Sequence, residues 1–493
     1  MHLLTPFLSA FAFAFAFASS SSIPIQPPPT QWARGYAFSS AEAHPHAGVQ
    51  TRDGGFFVVG DGIEADPGGS TPLRSVMLLR TDKTGNPLWQ KKIGTTGYNY
   101  GKFGIQLRSG HLVVAGALEL MDDALGYPVL HRVLFLLDDA TGTELSRAVL
   151  DNEGAELQLR DGFMCVVEGR KDGELVATGF VGGENSTTGY ADEPMFLIGG
   201  GRAELSAFQV EPNKTLTPKG SMTIDTGGGG ASPAFDARQG MRVLFDAPSD
   251  AYLVSFTTTL RDDPGNFQFG MALFKKDAAS GGAKQLWART FPASASGADG
   301  HASHPYALAV QRLPGEATAG GGGGNATFAH ATFALGGLAV IFDAQQIEQC
   351  EGRLLGVDAA TGSVKWDRRF KSTSKDTNIE CYGLQATHDG GYVLACGTGV
   401  EPELHPGDSA RSKTWRVLVH RTGASGEQVW QTNYTTNDQL QNNAGEYIIA
   451  TKDGGYAVYV DSQTYGPQGN GGNFAVMKLA PDEVERSNHA HAP

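Results

Sequence analysis

The sequence predicts an all-β fold, a seven-bladed β-propeller whose ring is closed by an N-terminal strand that completes the last blade, with six or eight blades as the neighbouring alternatives. Three observations carry that prediction. The triplet Asp-Gly-Gly stands between apolar runs at Asp53, Asp389 and Asp453, and Asp-Gly in that setting signals a hairpin because glycine accepts the positive φ of a tight turn. Around those triplets a unit of four apolar segments recurs at a spacing of about 60 residues. The last unit lacks its fourth segment, while TQWARGYAF at 30–38 precedes the first unit with no companions and resembles the fourth segments PLWQKKIGT, QLWARTF, KWDRRF and VWQTNY.

The units follow in order. The first reads AGVQT, RDGG, FFVVG, a loop from Asp61 to Arg74, SVMLLR, TDKTGN and PLWQKKIG. The second gives YGKFGIQL, RSG, HLVVAGAL, RVLFLL, DDATGT and ELSRAVL; the third FMCVVEG, RKDG, ELVATGF and MFLIGGG. The fourth has MRVLFDA, AYLVSFTT, FGMALFKK and LWARTF, and the fifth YALAVQRL, FALGGLAVIF and RLLGVDAATGSVKWDRRF. The sixth runs CYGLQAT, HDGG, YVLACG and WRVLVHRTGASGEQVWQTNY, and the seventh EYIIAT, KDGG, YAVYVD and NFAVMKL. Continuous apolar runs suit strands packed on both faces, and radial repetition leaves only short, protected edges.

The unit T-x-D-G-G-(Y/F)-V-x-x-G with a later D-x-x-T-G-x-x-x-W resembles the repeats of quinoprotein-like, PQQ-repeat-type propellers. Asp358, Thr361, Gly362 and Trp366 match the tryptophan-docking form of that repeat most closely. The resemblance implies a propeller over about 450 residues. Quinone-using members typically have eight blades, a vicinal cysteine pair and a bound calcium. Here the units number seven and no cysteines are adjacent, so the cofactor is not carried over.

Of 493 residues, 66 are Gly, 40% are hydrophobic and 18% charged, a turn-rich chain too apolar for disorder. A net charge of -14 without any Lys/Arg block excludes sequence-independent nucleic-acid binding, which needs cations to displace phosphate counterions. Leu3 to Ala18 carries no charge and ends in Ala16-Phe17-Ala18 before a serine run, the pattern of a cleaved signal peptide over 1–18. That run is shorter than the roughly 20 apolar residues of a membrane span, and no later segment supplies one. The expected division is then a Ser/Pro-rich linker at 19–29, the propeller at 30–480 and a disordered tail at 481–493. Secretion makes Asn185, Asn213, Asn325 and Asn433 glycosylation acceptors and allows disulfides among Cys165, Cys350, Cys381 and Cys396. Cys350 with Cys381, on the same side of neighbouring blades, is the expected bridge. Cys381 with Cys396 across one hairpin is the rival, and Cys165 reads as a buried thiol.

In a propeller the first-to-second and third-to-fourth strand turns share one rim. The long loops, 61–74, 119–131, 182–194, 261–268, 345–353, 401–413 and 462–473, then share the other, and long loops on a rigid scaffold are where binding resides. Residues opening the first strands ring the channel mouth on that side: His44, His46, Tyr100, Lys102, Asp161, His304, Glu380, Tyr382 and Glu446. Imidazoles and carboxylates ligate first-row metals, which singles out His46, His304 and Glu380. Glu380 and Glu446 form the acid pair for glycosidic chemistry if they stand roughly 5–9 Å apart. There is no G-x-S-x-G elbow and no H-E-x-x-H helix. The leading expectation is a secreted or cell-surface monomer that binds a protein or glycan through its long-loop face, without catalysis and without a cofactor. The alternative is a carbohydrate-active enzyme, or an oxidoreductase using a divalent metal or PQQ, with its site at the channel mouth.

Overall fold

The computed structural model describes residues 25–38, 42–63, 73–94, 97–122, 126–150, 160–184, 199–226, 235–260, 263–276, 283–292, 303–312, 331–342, 348–372, 378–399, 415–435, 442–466 and 472–482. All regular structure among them is strand, arranged as seven antiparallel four-stranded sheets, so the predicted propeller and its blade count hold. Blade 1 comprises β2 (Glu42–Gln50), β3 (Phe56–Ile63), β4 (Arg74–Thr81) and β5 (Pro87–Ile93). Blade 2 comprises β6 (Tyr100–Gln106), β7 (Leu112–Asp122), β8 (Tyr127–Leu137) and β9 (Glu144–Leu150). Blade 3 has β10 (Arg160–Glu168), β11 (Glu174–Glu184), β12 (Gly199–Val210) and β13 (Leu216–Thr223). Blade 4 has β14 (Phe235–Asp246), β15 (Ala251–Leu260), β16 (Asp263–Lys276) and β17 (Ala283–Phe291). Blade 5 has β18 (Ser303–Arg312), β19 (Ala331–Phe342), β20 (Glu348–Asp358) and β21 (Val364–Phe370). Blade 6 has β22 (Asn378–Ala386), β23 (Tyr392–Gly399), β24 (Arg416–Thr422) and β25 (Gln428–Asn433). Blade 7 has β26 (Asn443–Ala450), β27 (Tyr456–Ser462) and β28 (Asn473–Leu479), and takes β1 (Thr30–Tyr36) as its outer strand, with Trp32 opposite Lys478 and Tyr36 opposite Phe474.

Blade 3 departs from expectation: its described third strand begins at Gly199, inside the MFLIGGG run, and extends to Val210, and its fourth is the polar Leu216–Thr223, which no apolar run marked. Residues 25–29 lie against the ring: Ile25 packs on the blade 6/7 core, and the Pro28 and Pro29 carbonyls accept from Tyr434 Oη and Ala480 N. At the other end Asp482 is buried beneath Arg421, while 483–493 lie outside the described residues.

The Asp-Gly-Gly turns do more than reverse the chain. In blade 1, Asp53 Oδ1 accepts from Thr51 Oγ1 and Gly55 N, while Asp53 Oδ2 receives Arg80 Nη2 at 2.8 Å from the third strand. Blade 6 repeats this with Thr387, Gly391 and Arg421, and blade 7 with Thr451, Gly455 and Lys478. Gly54 is needed for its φ of +86, whereas a Cβ on Gly55 would collide with Thr81 O and the Arg80 guanidinium. The same rim joins blade to blade. Arg80 also meets Asp139 of blade 2, and Arg421 meets Asp482. The residue before each turn reaches the next one: Lys452 Nζ donates to Thr51 O, Arg52 to Leu107 O, Arg108 to Gly169 O and Arg170 to Ala247 O.

Tryptophan supplies a second set of latches. Trp89, Trp287, Trp366, Trp430 and Trp32 stand at one position of the outer strand, opposite Arg80, Leu273, Gly356, Arg421 and Lys478. Trp89 Nε1 donates to Asp139 O of the next blade at 2.8 Å, and Trp287 Nε1 to Ala359 O at 3.2 Å. Ser146 holds that position in β9 and Gly220, opposite Ala207, in β13. Between blades the core is apolar, with Val58, Leu79 and Val458 all fully buried, each contributing about 1.5–3 kcal/mol by removal from water.

Arg421→Ala should lower stability by about 3–5 kcal/mol, because it takes the guanidinium from the buried Asp482 as well as from Asp389. Urea unfolding measures it. The Asp53, Asp389 and Asp453 carboxyls lie below the ordinary 3.8: burial alone would raise each, but the Thr, Gly and cation partners outweigh it. Their stabilisation is therefore present above pH 3.8 and is lost as pH falls through the lowered values. A triple Asn variant at these positions should flatten the acid limb of a stability-against-pH curve.

Candidate functional site

Every inner strand breaks register by one residue at the same place. The unpaired residues are His46 in β2, Lys102 in β6, Met164 in β10, Met241 in β14, Tyr306 in β18, Tyr382 in β22 and Glu446 in β26. A bulge of this kind turns a side chain out of the strand's alternation. Here seven blades turn theirs to one point: these seven residues with Arg242 enclose a central space of about 30 Å³. That holds a water or two, at roughly 10–15 Å³ each, so the channel has a floor rather than a through-hole.

The floor divides into two arcs. From blade 6 through blades 7 and 1 to blade 2 it is polar, with Tyr382, Glu446, His46 and Lys102; across blades 3, 4 and 5 it presents Met164, Met241 and Tyr306, with the Arg242 guanidinium of blade 4 beside them. On the polar side His46 Nε2 lies 2.8 Å from Asp61 Oδ2 and 3.0 Å from Lys102 Nζ, while Arg74 Nη1 holds Asp61 Oδ1 at 3.0 Å. Nε2 either donates to the carboxylate or accepts from the ammonium, so one proton's position sets the ring's role. Burial alone would raise the Asp61 carboxyl, but Lys102, His46 and Arg74 together hold it far below the usual carboxylate range. Tyr382 Oη donates to Glu380 Oε2, and burial, then Glu380, Tyr306 and Glu446, drive its phenol well above 10.0. The Tyr306 and Tyr382 rings lie 4.9 Å apart. Arg242 plugs the centre: its guanidinium donates to Met164 O and Met241 O and lies over Phe103 of blade 2 and Tyr447 of blade 7, at 5.3 and 5.8 Å.

The sequence candidates therefore separate. His46, Lys102, Tyr382 and Glu446 converge on the floor, with Glu380 reaching it through Tyr382. Tyr100 is buried, its ring beneath Arg74 and Lys102. Asp161 is buried beside Arg132, and burial raises its carboxyl despite the Gly182 N–H and that arginine. His44 does not join His46. It bridges Asp461 Oδ2 of blade 7 at 2.8 Å and Glu42 Oε1 at 2.9 Å, clipping the ring where it closes. The side chain of His304 lies outside the described residues. No three His, Cys, Asp or Glu side chains among the described residues are grouped to hold a metal ion, and an ion on His46 Nε2 would have to displace the Lys102 ammonium. Sequence reading missed Met164, Met241, Tyr306 and Arg242. The signal that marks His46, Lys102, Tyr382 and Glu446, each seven residues before the residue that precedes the turn glycine, fails for the missed ones: Lys171, Pro248 and Leu313 stand seven residues after Met164, Met241 and Tyr306, and none precedes a glycine.

The cysteine expectation is corrected. The disulfide is Cys381–Cys396, not Cys350–Cys381, because Cys381 and Cys396 are directly opposed on β22 and β23 with Cα atoms 4.0 Å apart. Cys350 sits on β20, opposite Val340. Cys165 is a buried thiol, pushed up to about 11 by that burial. Of the glycosylation candidates, Asn213 is exposed in the β12–β13 turn and Asn433 is half-buried at the end of β25; Asn185 and Asn325 lie outside the described residues.

Burial opposes the charged form of His44, but Asp461 and Glu42 outweigh it and raise the ring well above 6.5. Its contribution is thus complete below pH 6.5 and is lost as pH rises through the raised value. Urea midpoints of the wild type should fall on the alkaline side of 6.5 and those of His44→Gln should not; equal slopes would refute the clip. Non-reducing peptide mapping should recover Cys381 linked to Cys396.

No protein-family description matches the chain, and no curated protein does. Among solved structures, a candidate 6-phosphogluconolactonase from Bacteroides fragilis aligns at 11% identity and a TM-score of 0.36, covering 88% of this chain and 98% of its own. A quinohemoprotein alcohol dehydrogenase from Pseudomonas putida aligns at 10% identity and a TM-score of 0.40, covering 92% and 76%. Likenesses this distant say nothing of what the chain binds.

Proposed function

We propose that the protein is a secreted or cell-surface binding module, without catalysis, whose loop-bearing side receives a glycan, one sugar ring resting on the channel floor. The observation that supports this most is the division of the floor into a polar and an apolar arc. A pyranose has the matching character: its C–H face lies against aromatic and thioether side chains, while its hydroxyls bond to carboxylate, phenol, imidazole and ammonium groups. The space within the floor admits only water, so the sugar sits above it, toward the loops. The N-terminal apolar run over Leu3 to Ala18 and the four sequons fit an extracellular setting. Asn213, in a tight turn on the opposite rim, would carry a glycan clear of this side.

A second reading, a carbohydrate-active enzyme at the same place, draws on Glu380 and Glu446, which both act on the Tyr382 hydroxyl. One experiment separates them. The protein is applied to an array of immobilised neutral and acidic glycans, and those retained are incubated with it in solution. Retention of a subset, weakened about tenfold (~1.4 kcal/mol) by Glu446→Gln and without release of reducing ends, supports the binding module. Release of reducing ends supports the enzyme, and retention of no glycan removes both.

A further inference from the structure

We infer a second binding site, on the flank of the ring at the seam between blades 3 and 4, for a small ligand with a flat aromatic ring of about indole size. Five outer strands carry a tryptophan at the position opposite Arg80, Leu273, Gly356, Arg421 and Lys478, and where its hydrogen bond is seen the indole closes the seam to the following blade. Blade 2 lacks the indole but closes its seam another way, Ser146 Oγ donating to Lys214 O of blade 3 at 2.7 Å.

Among the described residues blade 3 has neither device. Its register break, between Ala207 and Phe208, leaves Gly220 at the tryptophan position, opposite Ala207, and Gly220 lines the seam with no side chain to fill it. A cleft of about 390 Å³ is left at this seam, within the usual range of small-molecule sites at about 300–1,000 Å³. Val176, Leu205 and Tyr252 form its inner wall, which is the edge of the apolar cluster that packs blades 3 and 4 together. Lys171, Lys219 and Ser221 stand at the rim. The blade 4 turn that the missing indole would touch, 277–282, lies outside the described residues, and the site rests on these walls alone.

The cleft thus has the dimensions and lining of a vacancy that an indole fills elsewhere in the same ring. A free planar ring entering it buries apolar surface on both faces without any change of fold, since blade 3 is already built around the gap. The site is separate from the channel floor and stands or falls independently of the glycan reading.

The test is a ¹⁹F NMR titration of 5-fluoroindole with the whole protein. Saturable binding is expected, with a dissociation constant on the order of 0.1–1 mM for a ligand of this size. Gly220→Trp supplies the missing latch and should weaken binding at least tenfold. Val176→Phe fills the inner wall and should also weaken it if the tryptophan variant folds poorly. Glu446→Gln, at the channel floor, should leave binding unchanged. Unsaturable binding, binding undiminished in both folded seam variants, or binding lost only in Glu446→Gln would overturn the inference.

Discussion

A ring of seven sheets has no end wall, and it stands only if each sheet is fastened to the next along the rim where the chain turns tightly. The fastening here is cationic. Arg80, Arg421 and Lys478 are buried at the base of their blades, each met by the aspartate of its own Asp-Gly-Gly turn, and the arginines also by a carboxylate that belongs to the following part of the ring. Buried cations of this kind add little net stability over apolar replacements, but losing one partner leaves the other uncompensated. They therefore enforce a single arrangement of blades. The lysine and arginines that reach neighbouring carbonyls continue the same belt from blade 7 to blade 4.

With the rim fixed, the centre is free to be irregular. The seven inner strands give up one ladder position each, and the side chains so released meet in a floor closed from below by Arg242, Phe103 and Tyr447. Charge is concentrated on one side of that floor, where His46, Lys102, Asp61 and Arg74 share contacts shorter than any water-filled opening would allow.

Blade number and ring closure were legible because both are written in repetition: the turns, the outer-strand tryptophans and the stray TQWARGYAF segment. Four floor residues were legible for the same reason, through their constant offset from the turn. What repetition does not encode was lost. Period-two alternation would place His44 and His46 on one face, and only the bulge sends them to different partners. The cation that completes each Asp-Gly-Gly turn sits on a strand two elements away in the blade, where its sequence position looked like an ordinary strand end. Blade 3 escaped because its outer strand is polar, and the cysteine pairing was missed because register, not shared face, decides which thiols are opposed.

The bulges have one more consequence. Because every blade releases a residue at the same depth, the frame fixes where the seven side chains meet but not which they are. The ring is in effect a seven-letter word, here His, Lys, Met, Met, Tyr, Tyr, Glu, set in type that the strands hold and do not read. The letters are not equally free: His and Lys are tied to the buried Asp61, whereas the two methionines carry no charge, so a ring with this rim could change its centre first where blades 3 and 4 meet it.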